Sequence, residues 1–244
     1  MFARSNVLLA FDFDGTLARI VPDPGRARMR RLTRELLTEL AAVYHCIVIS
    51  GRSQADVRSR LGNVPLERVI GNHGMEPWQA SGRLASQVRR WRLALEKRLG
   101  TLAGVRVEDK TYSIAIHYRR SREKTKARSA IALAVSTLGG ARTIGGKQVV
   151  NVLPRAAHDK GRALLKERER LGCDTAIYVG DDDTDEDVFA LDDPARILTI
   201  RVGAKPASAA SYSIPRQSDI DELLRILAGV RETSRTPRPR ATRD

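Results

Sequence analysis

Val7-Leu8-Leu9-Ala10-Phe11-Asp12-Phe13-Asp14-Gly15-Thr16-Leu17 runs from five apolar residues straight into two carboxylates and a glycine. A continuous apolar run of this length reads as a strand covered on both faces, because a strand with one wet face would alternate. Its carboxyl end then carries Asp12 and Asp14, two residues apart and able to share one side of an extended chain, with Gly15 permitting a sharp turn beyond them. Neighbouring carboxylates can divide labour, one attacking while the other moves protons, provided their surroundings separate their pKa values.

Three further runs look alike: Cys46-Ile47-Val48-Ile49 before Ser50, Ala176-Ile177-Tyr178-Val179 before Gly180, and Ile197-Leu198-Thr199-Ile200 with Val202 beyond. Helical segments are predicted between them over 28–43, 53–61 and 160–171. Alternating strands and helices predict an α/β fold, a Rossmann-like parallel-sheet core with helices on both faces, whose ligands gather beyond the carboxyl ends of the strands. The middle of the chain reads differently. Helices over 84–99 and 123–138 and strands over 105–108, 112–118 and 148–153 predict an inserted antiparallel α+β cap domain. The expected boundaries are 1–78 and 154–230 for the catalytic core, 79–153 for the cap and 231–244 for a disordered basic tail. Gly71-Asn72-His73-Gly74 and Pro154 are the expected hinges.

The 244 residues hold 43 Lys or Arg against 29 Asp or Glu, with 42% apolar content and a net charge of +14. That apolar share excludes a disordered or collagen-like chain, and the length suits one large domain or a domain with a substantial insertion. Ten Arg and four Lys from Arg83 to Arg128 face four acidic residues, which places a net +10 in the middle segment. Such a segment steers anionic ligands, whether a phosphorylated metabolite, nucleic acid or a membrane surface. Without regular aromatic interleaving it does not predict a sequence-specific nucleic-acid reader. Cys46 and Cys173 stand alone, which excludes a local CxxC pair or disulfide framework and predicts a reducing, cytoplasmic setting. Neither a signal peptide nor a membrane span is expected, because the first apolar run stops at Asp12 and nowhere do about 18 apolar residues follow one another.

Gly180-Asp181-Asp182-Asp183-Thr184-Asp185-Glu186-Asp187 is the second chemical signal, six acidic residues in seven positions after an apolar run. Their mutual repulsion calls for a hard divalent cation such as Mg2+ or for a helix N-terminus. A calcium loop does not fit, since Glu186 stands where that loop needs Gly and Asp192 where it prefers Glu. A phosphate-binding P-loop is excluded too, because Gln148 follows Gly146-Lys147 where Ser or Thr is required. Taken singly, other polar residues have ordinary readings: Ser50-Gly51 as a helix cap, Lys160 in a solvated first turn, His73 bonded to a loop carbonyl.

Asp12-Phe13-Asp14-Gly15-Thr16-Leu17, Ser50-Gly51-Arg52, Asp159-Lys160-Gly161 and the Gly180–Glu186 run occur in the order found in the haloacid dehalogenase-like phosphohydrolases, which the chain resembles. Gly71-Asn72-His73-Gly74-Met75-Glu76, Glu108-Asp109-Lys110 and His117-Tyr118-Arg119 narrow the resemblance to the trehalose-6-phosphate phosphatase family, over about 8–227. The resemblance implies that Asp12 attacks phosphorus to form an aspartyl-phosphate, while Asp14 protonates the leaving sugar oxygen and then activates water. It implies that Ser50 bonds a phosphoryl oxygen and that Lys160 stabilises charge on the nucleophile and phosphoryl group. Asp181 would hold Mg2+ with Asp12 and the Asp14 carbonyl, supported by Asp182 and Asp185. Gly51, Arg52, Glu76, Lys110, His117, Arg119, Lys147 and Asn151 are the implied substrate contacts. A sugar phosphate is the implied small-molecule partner, and a trehalose-6-phosphate synthase of the same pathway the candidate protein partner.

One position departs from the family pattern Gly-Lys-x-Val-x-Glu: Gly146-Lys147-Gln148-Val149-Val150-Asn151 carries an amide where the family has a carboxylate that accepts from sugar hydroxyls. That departure keeps open the same chemistry on a glycosyl phosphoglycerate or sucrose phosphate. The remaining alternative is a non-catalytic basic binding protein, which the full set Asp12, Asp14, Ser50, Lys160 and Asp181 argues against.

Overall fold

The opening apolar run forms β1 (Val7–Phe11), buried at every position in the computed structural model, which describes residues 5–79, 81–146 and 148–234. After it come α1 (Arg31–Ala41), β2 (His45–Ile49), α2 (Gln54–Leu61) and β3 (Arg68–Ile70). An insertion then contributes α3 (Gly82–Leu99), β4 (Arg106–Asp109), β5 (Ile114–His117), α4 (Lys124–Ser136), β6 (Ala141–Gly146) and β7 (Val149–Pro154). The chain returns through α5 (Lys160–Arg170), β8 (Thr175–Gly180), the single turn α6 (Glu186–Phe189), β9 (Ile197–Val202), β10 (Tyr212–Ile214) and α7 (Ile220–Ser234).

The parent sheet has the order β10-β9-β8-β1-β2-β3 and every pairing in it is parallel. Alternation along β1 sends Leu9 and Phe11 to one face, with Leu36, Leu37 and Leu40 of α1 and Leu224 and Leu227 of α7. Leu8 and Ala10 go to the other face, with Ala163 and Leu164 of α5 and Tyr178 of β8. The two-sided cover explains why these strands are apolar throughout. Leu37 is wholly buried in the first of these layers; its truncation to alanine would cost about 2–5 kcal/mol.

The insertion has a sheet of its own, ordered β4-β5-β7-β6 and antiparallel at each pairing. One face buries Ile114, Ile116 and Val152 under Val88, Trp91 and Leu95 of α3 and Ile131 and Val135 of α4. The period-two rule sends Glu108, Ala115, His117 and Asn151 to the opposite face, and the register aligns Glu108 with Ala115 and Ala115 with Asn151. Two linkers join this unit to the parent sheet. Gln79 of the first reaches the second twice, donating to the Ala156 carbonyl at 3.2 Å and accepting from the His158 amide at 2.6 Å.

The observed architecture is the expected α/β fold with an α+β insertion. Five elements go beyond the sequence reading: β3, β6, β10, α6 and α7. Because α7 runs through Ser234, the expected tail from 231 begins inside a helix, and residues 235–244 lie outside the described residues. Among the described residues no helix is long and apolar enough to cross a membrane.

Candidate active site

β1 sits between β8 and β2, the point where the strand order changes direction, so the ends of these three strands open into one crevice. Asp12 follows β1, Ser50 follows β2 and Asp181 follows β8. Asp12 stays in sheet register beyond its strand, its amide donating to the Val179 carbonyl at 2.8 Å. Gly15 is required twice over. Its φ is +91°, and a Cβ there would lie 2.2 Å from the Asp181 carboxylate.

Asp159 caps α5 by accepting from the Arg162 amide at 2.8 Å, which makes Lys160 the first residue of the helix. A cation at that end works against the helix dipole, and this one is also 1% exposed. Two carboxylates offset both penalties, since Nζ donates to Asp12 Oδ1 and to Asp185 Oδ1, each at 2.7 Å. Lys160 is therefore a buried bridge and not a solvated first-turn residue. Burial works against its charge, but Asp12 and Asp185 together hold it well above the usual lysine range.

Asp185 organises the acidic loop. Its Oδ1 also accepts from the Tyr178 hydroxyl at 2.6 Å, and its Oδ2 accepts from the Asp181 and Asp182 amides, both at 2.8 Å. Four donors thus engage this one carboxylate. Arg201, in the apolar strand β9, adds a second brace by donating to the Asp181 carbonyl at 2.5 Å and to Glu186 at 2.9 Å.

Carboxylate oxygens of Asp12, Asp181 and Asp185 lie within 4.8 Å of one another, and all three residues are buried. Burial pushes the Asp12 carboxyl well above the usual range, and Asp185 and Asp181 add to the rise that Lys160 only partly offsets. One lysine among three close carboxylates leaves negative charge uncompensated, and an all-oxygen anionic donor set is what a hard divalent cation takes. The residues present fit such an ion. Asp182 stands outside this cluster and faces the β6–β7 hairpin, where a Cβ on Gly146 would lie 3.2 Å from its Oδ2.

Asp14 points to the other side, where Arg52 holds it through Nε at 2.5 Å and Nη2 at 2.7 Å. Arg52 also donates to Asp56 at 2.7 Å and to the Pro24 carbonyl at 2.8 Å, so its fork is engaged within the protein. Ser50 is 1% exposed and its hydroxyl accepts from the Arg52 amide at 3.2 Å. The cap of α2 is Ser53, which accepts from the Asp56 amide at 3.3 Å, and this leaves Ser50 at the crevice.

From the insertion, the β4–β5 hairpin brings Lys110 across to the parent sheet, where Nζ donates to the Gly51 carbonyl at 3.1 Å. Asn72 fastens the same hairpin, donating to the Lys110 carbonyl at 3.2 Å and accepting from Ser113 at 2.9 Å. His117 pairs with Glu108 at 2.6 Å on the polar face of the second sheet, and Asn151, 5% exposed, lies on that face. Glu76 accepts from the Gln54 amide at 2.5 Å at the start of α2. Arg119 is exposed in the turn after β5, and Lys147 lies outside the described residues.

A family model described as trehalose-phosphatase matches residues 10–218. The chain is 37% identical over 205 residues to the trehalose-phosphate phosphatase of Mycobacterium avium, an alignment covering 73% of this chain and 49% of the relative. The chain belongs to the trehalose-phosphatase family. A second member, from Mycobacterium marinum, is 34% identical over 194 residues and is covered to 50%. The chain thus spans about half the length of these relatives. In fold it is similar to the C-terminal domain of Candida albicans trehalose-6-phosphate phosphatase, with a TM-score of 0.79 at 23% identity over 92% of this chain and 93% of that one. The sucrose-phosphatase of Synechocystis superposes with a TM-score of 0.60 at 17% identity, over 93% of this chain and 98% of that one. A HAD-superfamily sugar phosphatase superposes with a TM-score of 0.61.

Within this trehalose-phosphatase fold, Tyr178 and Arg201 escaped the sequence reading although each left a signal. A tyrosine and an arginine inside apolar strands are polar groups that burial obliges to find partners. Both find them in the acidic loop.

Proposed function

We propose that this chain is a Mg2+-dependent phosphatase that hydrolyses trehalose 6-phosphate to trehalose and phosphate through an aspartyl-phosphate on Asp12. One observation carries the reading: Lys160 takes one oxygen of a buried Asp12 and leaves Oδ2 outside the pair, two residues from Asp14. Oδ2 attacks phosphorus as the bond to the sugar oxygen breaks, and Asp14 gives that oxygen its proton. Water then attacks the phosphorus, Asp14 takes the water's proton, and the bond to Asp12 breaks to release phosphate and restore the carboxylate. Lys160 spreads charge on the nucleophile, and Ser50 orients a phosphoryl oxygen.

Asp12, Asp181 and the Asp14 carbonyl would hold Mg2+, with Asp185 and Asp182 supporting the loop that carries Asp181. When bound, the ion supplies positive charge that lets a carboxylate approach a dianionic phosphate. The insertion acts as a cap whose net +10 segment draws in the anion. Lys110 reaches the Gly51 loop from the cap, and together with Glu76, His117, Arg119, Lys147 and Asn151 it supplies the sugar-facing set. The reading places the reaction in the cytoplasm, downstream of a trehalose-6-phosphate synthase.

Asn151 favours a second substrate reading, the same chemistry on sucrose phosphate or a glycosyl phosphoglycerate. Phosphate release from trehalose 6-phosphate, glucose 6-phosphate, sucrose 6-phosphate and a glycosyl phosphoglycerate, with Asp12→Asn as the blank, separates the two. Preference for the first substrate supports the proposal. Turnover of another keeps the mechanism and moves the substrate, and salt-sensitive polyanion binding that survives Asp12→Asn with no turnover favours a binding protein.

A further inference from the structure

Arg201 lies in β9 and is 6% exposed, and a guanidinium at that depth is costly unless acceptors surround it. Strand register sets it level with Gly180, the last residue of β8 and the one before Asp181. Its side chain therefore starts beside the strand end and meets the peptides just beyond it. Nη2 donates to the Asp181 carbonyl at 2.5 Å and Nη1 to the Asp182 carbonyl at 3.3 Å. Glu186, bound by Nη1 at 2.9 Å, supplies the countercharge, and its other oxygen accepts from the Ala209 amide at 3.0 Å.

Asp185 makes the matching bonds to the amides. Its Oδ2 accepts from the Asp181 and Asp182 N–H groups, both at 2.8 Å. The peptide joining Asp181 to Asp182 is thus held at both ends, its N–H by Asp185 and its C=O by Arg201. Peptide planarity then fixes the carbonyl side of Asp181, and the bond to its own amide fixes the other. With N, Cα and C in place, the tetrahedral Cα leaves Cβ one direction. The carboxylate so directed lies against Gly15, where a Cβ would fall 2.2 Å from it, and joins the cluster with Asp12 and Asp185.

The charge of Arg201 acts against this geometry. A guanidinium beside the backbone of a residue that would hold a divalent cation repels that cation. Geometry favours the ion and charge disfavours it, so the sign of a substitution's effect separates the two. Packing alone does not call for arginine either. Its Nε is buried without an acceptor, and a buried ion pair is often less stable than apolar side chains of the same volume.

We propose that Arg201 is a positioning residue that aims Asp181 at the cation, so that β9, a strand with no ligand of its own, sets the affinity of the metal site. The proposal rests on the assignment of Asp181 to Mg2+ above. Glutamine at this position keeps a donor and loses the charge, whereas lysine keeps the charge and loses the planar fork.

The test is calorimetric titration of metal-free wild type, Arg201→Gln and Arg201→Lys with Mg2+ alone, which needs no substrate. Expected in Arg201→Gln is a Kd for Mg2+ raised by about tenfold to a hundredfold. An equal Kd would leave Arg201 a brace of the fold, and a tighter one would show that its charge is all that the ion senses; either overturns the proposal. Arg201→Lys is expected between glutamine and wild type, and it decides alone where melting shows Arg201→Gln unfolded: weaker binding than wild type supports the proposal and equal binding overturns it. Turnover of p-nitrophenyl phosphate should return in both variants as Mg2+ is raised, and a loss that no Mg2+ concentration repairs would place the role of Arg201 elsewhere. Wild type that binds no Mg2+ would sink the metal reading and this proposal with it, whereas binding in wild type that neither variant alters sinks the proposal only.

Discussion

Arg52 grips Asp14 by both carboxylate oxygens, Nε to Oδ2 at 2.5 Å and Nη2 to Oδ1 at 2.7 Å. Both oxygens of Asp14 are occupied by this one guanidinium, so the leaving-group role proposed for Asp14 needs the fork to loosen when substrate enters. Burial works against the Arg52 charge, but Asp14 and Asp56 raise its pKa further, and it stays a cation throughout. Lysine cannot reproduce the planar fork. Arg52→Lys is expected to lower kcat by about tenfold to a hundredfold with little change in KM. A rise in KM alone would move Arg52 to the sugar.

The cluster of Asp12, Asp181 and Asp185 leads to a prediction that does not depend on turnover. A cation bound only by the folded state at a hundredfold excess over Kd contributes about 2.7 kcal/mol, or about 5–10 °C in Tm for a chain of this size. Mg2+ is expected to raise the Tm of wild type by that order and to leave Asp181→Asn nearly unmoved. Asp12→Asn should hold less than about a thousandth of wild-type turnover while remaining folded. A full Mg2+ shift in Asp181→Asn would take that residue out of the metal site.

The parent sheet was largely legible because strands buried on both faces are mainly apolar, as β1, β2, β8 and β9 are apart from His45, Thr175, Thr199 and Arg201. β3 and β10 escaped because three residues carry no period, and β6 because its last two residues are glycine. α7 was readable: Ile220, Leu223, Leu224 and Leu227 fall at helical spacing. Asp12, Asp14, Ser50, Lys160 and Asp181 announced themselves by position after apolar runs or by the family's order.

His73 makes stability depend on pH. Burial first, and the charges of Lys110 in the β4–β5 hairpin, Lys160 at the start of α5 and Arg142 on β6, lower its pKa well below 6.5. The folded protein then holds it neutral while the unfolded chain protonates it below about pH 6.5, so the unfolded state binds more protons there. The contribution is fully present above about pH 6.5 and is lost as pH falls below it toward the folded-state pKa. His158, lowered by burial and by Lys166 and Arg162, acts in the same direction. Urea unfolding between pH 7.5 and 5.5, each value set about one unit to either side of the histidine range, should show falling stability with a shallower slope in His73→Asn. An identical slope in the variant would mean that the ring takes up its proton over the same pH range in the folded protein as in the unfolded chain.

On the proposed function, Asn151 is the position that bears on the choice of sugar. It stands 5% exposed on the polar face of the second sheet, level with Ala115 and, one strand further, with Glu108. The small Ala115 side chain separates an amide on one side from a carboxylate on the other, and Glu108 is itself committed to His117 at 2.6 Å. Hydrogen bonding to His117, offset in part by burial and aided by Lys110, lowers the Glu108 pKa, so this carboxylate is ionised but engaged. Asn151→Glu would place a carboxylate acceptor at this position of the polar face. A site that accepts from a hydroxyl discriminates far more strongly than one that only fits its shape. The substitution is therefore expected to raise kcat/KM for trehalose 6-phosphate relative to sucrose 6-phosphate by about tenfold, and to leave the ratio of kcat to burst amplitude on p-nitrophenyl phosphate unchanged. Parallel changes on both sugars would show that position 151 governs packing of the sheet and not the choice of leaving group.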